Sequence, residues 1–419
     1  MRCYRKGIII PFTLLLAAIT EASDMPSCAI QCLKSGIEGS TCTLTNTSCI
    51  CADAALQTNL TACVQTNCTI KESLTTANAT GAMCHNPIRN KSEVITVTNS
   101  VFGGLAVIAT LIRSLEFRKH FGFEDVFVIL GLLFSVAMGI LEFLMVDAGY
   151  GRDIWTISFS NITLVLKYNW VVEMLYIGAI ASIKLALLNL YLHIFPNFGL
   201  RNAIYIVMGI VVAYFFAFFF GICFNCLPVS YIWTSWTGET KGSCLDFNKF
   251  GIACAVINIV LDVTVMALPL HEIMKLNLRP MKKILVMLMF CTGFFITIVS
   301  IIRLKSVVTF AHTANATYDY VPVAYWSLIE SYTAVICVSM PAIRRQFNRL
   351  LYACFGIPDS HQDASAPYDR SRSLQYPTSS NNLSIGRNIK ASSSQEPLSR
   401  RDSDGVELVN VDVYFDKRT

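Results

Sequence analysis

The sequence predicts an all-α membrane protein: a small disulfide-rich helical head outside the membrane, a seven-transmembrane helical bundle, and a disordered cytosolic tail. Three observations carry this. With 54% hydrophobic and 15% charged residues among 419, and a positive mean hydropathy, the chain is too apolar for a soluble globule. Eight of its sixteen cysteines lie between Cys28 and Cys84, a density that a short segment needs when cystines replace a hydrophobic core. The later apolar runs carry a few ionisable residues, which only a bundle interior can shelter. Because the net charge of +5 gathers on one side of the membrane, no nucleic-acid-binding face is expected.

Residues 1–22 place Arg2, Arg5 and Lys6 before the apolar run Ile8 to Thr20, with small residues following. This order of charge, apolar core and cleavage region predicts a secretory signal peptide. Residues 23–90 then hold Cys28, Cys32, Cys42, Cys49, Cys51, Cys63, Cys68 and Cys84. The number is even, so four bridges close the set, although spacing alone does not choose among pairings. A zinc site is the weaker alternative, since the segment is secretory and has only His85 nearby. Asn46, Asn59, Asn67, Asn78 and Asn90 head glycosylation triplets and predict a lumen-exposed surface.

Within 91–342, spans are expected near 95–112, 125–147, 168–194, 203–222, 250–270, 284–302 and 320–341, each long enough at about 1.5 Å per residue to approach a roughly 30 Å hydrocarbon layer. The orientation follows from the connections. With the head outside, the inner segments carry Arg113, Arg118, Lys119, Arg201, Lys275, Arg279, Lys282, Lys283, Arg344, Arg345 and Arg349, and the outer ones only Arg152, Lys167, Lys241, Lys249 and Lys305. This bias places the amino terminus outside and the carboxyl terminus inside, which requires an odd number of spans. Asn161 and Asn315 head two further triplets on the outer side, and Cys226 with Cys244 is the expected bridge of the fourth-to-fifth connection. Cys254, Cys291 and Cys337 read as apolar filler. Residues 343–419 are too poor in apolar residues to form a core and predict a cytoplasmic tail, with Arg400-Arg401-Asp-Ser403 as a candidate phosphorylation site. The terminus has no apolar tail for a lipid anchor.

The stretch Tyr168 to Pro196 contains Glu173 and Lys184, eleven residues apart and so near the same helix face but about three turns apart in depth. They cannot meet, and each needs a partner on another helix. Glu142 and Glu173 fall in the outer third, Lys184, Asp262 and Glu330 near the midplane, and Arg303 at the outer end of the sixth span. Because an isolated ion in lipid costs several kcal/mol, Lys184 is expected to pair with Asp262 or Glu330, and Arg303 with Glu142 or Glu173 around an outer cavity.

Two resemblances sharpen the reading. The cysteine spacing, above all Cys42-Thr-Leu-Thr-Asn-Thr-Ser-Cys49-Ile-Cys51, resembles the CFEM domain of fungal surface proteins. This implies helices tied by four disulfides, with Cys42–Cys49 and Cys51–Cys84 among them. Haem-scavenging members place an Asp as iron ligand three residues before the fourth cysteine, where this chain has Asn46, and Asp53 is the nearest other carboxylate. A neutral amide substitutes poorly for an anionic oxygen on ferric iron, so haem is not expected as a cofactor.

The second resemblance covers the spans. Gly122-Phe-Glu-Asp125, Gly149-Tyr-Gly-Arg-Asp-Ile-Trp155, Glu173-Met-Leu-Tyr176 and Tyr191-Leu-His-Ile-Phe-Pro196 are similar to the fungal rhodopsin-like membrane family, as are Asn258 with Asp262, Leu268-Pro-Leu, Ile302-Arg-Leu304, Trp326 with Glu330, and Met340-Pro341. Joined to the head, they resemble the CFEM-bearing, Pth-type receptors of filamentous ascomycetes. The resemblance implies a G-protein-coupled-receptor-like protein of the plasma membrane that senses host or surface cues, with a heterotrimeric G protein or another cytosolic effector as partner beside membrane lipid and an unidentified extracellular ligand. The third span lacks the Asp-Arg-Tyr-type pair of the large animal receptor class, and the seventh lacks a lysine for a retinal Schiff base. Haem or iron acquisition through the head and transport through the bundle are the alternatives. No nucleophile, base and orienting set or phosphate loop occurs at useful spacing, so an enzyme is not expected.

Overall fold

The structure, a computed structural model, describes residues 25–115, 122–194, 198–275, 280–310 and 313–355. The signal peptide over 1–22, Arg118, Lys119, Arg279, the side chains of Lys275, Lys282 and Lys283, and the tail beyond 355 with its Arg400 to Ser403 site lie outside the described residues, whereas residues 343–355, expected to belong to the disordered tail, continue the last helix as far as Phe355.

The head is four short helices: α1 (Ser27–Glu38), α2 (Thr47–Ala52), α3 (Ala54–Asn67) and α4 (Ile70–Met83). Their starts are written in the sequence. Asn46 accepts the Cys49 amide, Asp53 accepts those of Ala55 and Leu56, and Thr69 with Glu72 closes a capping box, so the orphan amides of three helix starts find side-chain acceptors. The apolar interior is two small clusters, Ala29, Cys32, Leu60 and Val64 in one, and Cys42, Ile50 and Leu56 in the other. Cores of that size cannot hold a domain alone. Four disulfides complete it: Cys28–Cys68, Cys32–Cys63, Cys42–Cys49 and Cys51–Cys84.

Among the described residues, seven helices long and apolar enough to cross a membrane follow, at Ser92–Ser114, Phe123–Asp147, Phe159–Ile194, Phe198–Cys223, Asn248–Leu270, Phe290–Thr309 and Ala316–Phe347. The third is central. All faces from Tyr176 to Ala186 are buried, and small residues make this close packing affordable to the backbone: a side chain at Gly131 would strike Ile183, and one at Gly178 would meet the Phe134 ring. The third helix begins at Phe159, nine residues before the expected start near 168. Its extra turns are held above the apolar section by the Trp236 indole, which donates to Thr163 Oγ1 at 3.1 Å and packs on Phe159. Asn161, expected in a connection, therefore lies in a helix.

Between the fourth and fifth spans, β1 (Cys226–Leu227) pairs with β2 (Ser243–Cys244) in a small hairpin closed by the Cys226–Cys244 disulfide. The head rests on this end of the bundle: Lys71 of α4 pairs with Glu239 at 2.6 Å, and Ile70 lies beneath Gly238. The linker out of the head is fastened as well. Lys91 N donates to Gly151 O and Gly151 N to Thr317 O, both at 2.9 Å. Gly149 and Gly151 adopt φ of +109° and +98°, which favour glycine, and a Cβ on Gly151 would sit 2.7 Å from Ser92 N. The motif Gly149-Tyr-Gly-Arg-Asp is thus a clasp between linker and bundle.

Candidate functional site

Deep in the bundle, four spans contribute to one buried polar network. Lys184 of the third span is 4% exposed and forms an ion pair with Asp262 of the fifth. Asp262 Oδ2 also accepts from Ser300 Oγ of the sixth at 3.2 Å. Glu330 of the seventh is fully buried. One of its oxygens accepts from Asn258 Nδ2 and Ser300 Oγ, each at 2.8 Å, and the other accepts from Tyr176 OH at 2.9 Å. Arg303 Nε stands 3.3 Å from that second oxygen, and its guanidinium lies 4.5 Å over the Tyr176 ring. Two cations thus offset two carboxylates, the condition for ions to persist away from water.

This corrects one expectation. Arg303 is matched to Glu330, and neither Glu142 nor Glu173 is its ion-pair partner. Arg303 follows Ser300 by one turn, so both side chains address the seventh span, and the long arm lets the cation reach inward to a fully desolvated carboxylate. Lys184 and Asp262, by contrast, are brought together.

Above the network, toward the head, lies a cavity of about 490 Å³, within the range of small-molecule sites. Arg303 and Tyr176 form its floor with Cys254, and Glu142, Tyr150, Asn169, Trp170, Glu173 and Tyr320 line its walls. Cys226 and Cys244 border it, so the disulfide hairpin belongs to its rim. Glu173 accepts from Asn169 Nδ2 at 3.2 Å. Glu142 is 2% exposed, and its Oε2 has no hydrogen-bond partner among the described residues. The same holds for Nε and Nη2 of Arg303.

Three further clamps were not legible as sites in the sequence. At the end far from the head, Arg113 pairs with Asp125 at 2.6 Å and donates from Nη1 to Val338 O at 2.8 Å, near the break in the seventh span's hydrogen-bond ladder at Pro341. It is buried, although the sequence counts it among the basic residues of the inner connections. Higher up, Tyr332 OH donates to Asn99 Oδ1 at 2.9 Å and Asn99 Nδ2 to Gly139 O at 2.8 Å, tying the first, second and seventh spans. At the head, Arg89 grips Asp153, Nη2 to Oδ1 at 2.6 Å and Nε to Oδ2 at 3.2 Å. That contact holds the Arg89 guanidinium pKa above its ordinary value. Short gaps between an Arg and an Asp on facing helix ends, as at Arg113 and Asp125, were the available signal.

Asp153 also corrects a second expectation. Asn315 donates from Nδ2 to Asp153 Oδ1 at 2.7 Å and accepts the Ile154 amide at 2.9 Å, so its carboxamide is committed and buried, and a glycan there would break the clasp. Asn46, Asn59, Asn67, Asn78 and Asn90 are exposed and Asn161 partly so. The head does not fit haem: the Asn46 carbonyl oxygen is used by the Cys49 amide at 3.1 Å and Asp53 caps α3. The one grouping at metal-binding distance among the described residues, Cys28, Cys68 and Glu72, has both sulfurs in a disulfide.

Fold and site together define a multi-pass membrane protein of seven helices with a cystine-stapled head over a cavity floored by buried charge. The chain belongs to the family described by the fungal rhodopsin domain, which matches residues 109–349, and its head matches the CFEM domain over residues 21–85. It is 29% identical over 176 residues to a SAT4 family membrane protein of Emericella nidulans, covering 41% of this chain and 45% of the relative. It is 24% identical over 253 residues to wortmanamides biosynthesis cluster protein C of Talaromyces wortmannii, covering 58% and 68%. Against receptor GIN3 of Arthrobotrys oligospora it is 23% identical over 180 residues, covering 42% and 43%. The match therefore spans less than half the length of the first of these relatives. No solved structure gives a significant match.

Proposed function

We propose that this protein is a receptor-like surface sensor of the plasma membrane, with the head and cavity facing outward and residues 343–419 facing the cytosol. The observation that carries the reading is the double position of Arg303, which lines the cavity and also completes the charge balance that holds the third, fifth, sixth and seventh spans. A ligand that draws Arg303 away from Glu330 changes which helix arrangement is favoured, and that differential contact is what a sensor requires. The receptor GIN3 relative and the bias of basic residues toward the inner connections support it. A heterotrimeric G protein or another cytosolic effector is the expected partner at the inner end.

The test is co-isolation of cytosolic proteins with three forms of the chain: full length, lacking residues 342–419, and Arg303→Gln. A partner set that changes with both alterations supports the sensor. One that ignores both, or substrate flux in vesicles carrying the purified chain, replaces it with an anchor or a transporter.

A further inference from the structure

The cavity's own charge balance says what it takes. Among its lining residues, the ionisable acids and bases are Glu142, Glu173 and Arg303. Arg303 is offset by Glu330, and Lys184 by Asp262, so the cationic side of the network is spent. Neither Glu142 nor Glu173 has an ion-pair partner among the described residues. They come from the second and third spans, yet both bear on one phenol. Tyr150, outside the spans, has its pKa pushed well above the ordinary value, first by burial and then by the charges of Glu142, Tyr320 and Glu173.

An unpartnered carboxyl in an apolar, buried wall is costly as an anion, and either a proton or a cationic ligand relieves that cost. The walls beside the two acids are aromatic, Tyr150, Tyr320 and Trp170, surfaces that favour a cation through their ring quadrupoles. We infer that the cavity binds a small organic ammonium whose charged nitrogen lies between Glu142 and Glu173 and whose body packs on the aromatic walls. Arg303 lines the same cavity and its Nη2 has no hydrogen-bond partner among the described residues, so an acceptor on that ligand, met by a small shift of the guanidinium, connects occupancy to the network below. This rests on the sensor reading and adds the ligand class to it.

Three probes of one skeleton separate the alternatives: phenethylamine, 2-phenylethanol and phenylacetate, each titrated against the full chain in lipid nanodiscs with thermal unfolding and equilibrium binding as readouts. The amine is expected to bind saturably and about tenfold or more tighter than the alcohol, the difference made by one charge-assisted contact, with phenylacetate weakest. Glu142→Gln combined with Glu173→Gln is expected to erase the preference between amine and alcohol. Phenylacetate or the alcohol binding as tightly as the amine, or no saturable amine binding in the millimolar range, overturns the inference. So does an amine preference that survives the double substitution. If that variant does not fold, the three probes on the unaltered chain still decide. Tight phenylacetate binding would leave the sensor reading standing, because that reading fails only on the partner experiment above, which uses no ligand.

Discussion

The head and the bundle solve one problem by opposite means. In the head, two clusters of only a few buried side chains each are far below what a water-exposed domain needs, and four disulfides hold the chain by limiting its unfolded states. In the bundle, lipid is as apolar as the side chains it replaces, so burial alone does not choose which helix faces meet. There the choice is made by small-residue contacts and by polar groups with nowhere else to go: Lys184 with Asp262, Arg303 with Glu330, Arg113 with Asp125 and Asn99 with Tyr332. Covalent staples tolerate sequence change between them, whereas a charge network fails when any one member is lost.

The strongest way to break that contrast is to remove one buried cation. Lys184→Met leaves Asp262 uncompensated, and the expected cost is about 3–5 kcal/mol of bundle stability. Adding Asp262→Leu should restore most of it. The yield of monodisperse protein and its thermal midpoint, compared across the double-mutant cycle, measure this; additive losses would mean that the pair does not act as a unit. The head should be indifferent to all four forms.

The converse perturbation is smaller. Replacing Cys51 and Cys84 by Ser opens a loop of sequence separation 33 and should cost the head roughly 2–4 kcal/mol. Hydrogen exchange should then rise across α1 to α4 while the third span stays protected. If both regions loosen together, the head is not an independent cooperative unit and the comparison fails. Gly151→Ala probes the seam between them. Its φ of +98° and the 2.7 Å approach to Ser92 N predict a cost of about 1–3 kcal/mol, with exchange rising first at the amides of Lys91 and Gly151 that form the clasp.

The two regions were not equally legible in the sequence. Seven spans, their order and the head's four-bridge character follow from apolar length and cysteine density, because lipid thickness and redox compartment leave few alternatives. The need of Lys184 for a carboxylate was also readable, since cost alone demands it. Its choice of Asp262 over Glu330 was not, because helix rotation sets it. Arg303 reaches Glu330 and not the outer acids for a related reason: depth read from sequence places the Cα, and the guanidinium acts several ångströms away. Asn315 carries a complete glycosylation triplet, and only the fold shows its amide holding Asp153 and Ile154. The Arg89 to Asp153 contact joins residues 64 apart, a separation at which no periodicity reports.

The smallest effect sharpens the contrast most. The Glu72 carboxylate accepts from the Thr69 amide at 2.9 Å and hydroxyl at 2.8 Å, and these bonds, the backbone one first, lower its pKa from the ordinary 4.5. A depressed carboxylate pKa means that the folded state holds the anion more firmly than the unfolded chain does. The contribution is therefore complete above 4.5 and fades as pH falls through the lowered value. Because both of its hydrogen bonds go to Thr69, the response should be confined to the first turn of α4, with the Thr69 and Glu72 amide resonances shifting together on acidification. Glu72→Gln, which keeps an acceptor but cannot titrate in this range, should flatten the response without unfolding the head, since the disulfides Cys28–Cys68 and Cys51–Cys84 bracket the helix. An acid transition that instead spreads through all four helices would show that the caps, and not the cystines, hold the head together.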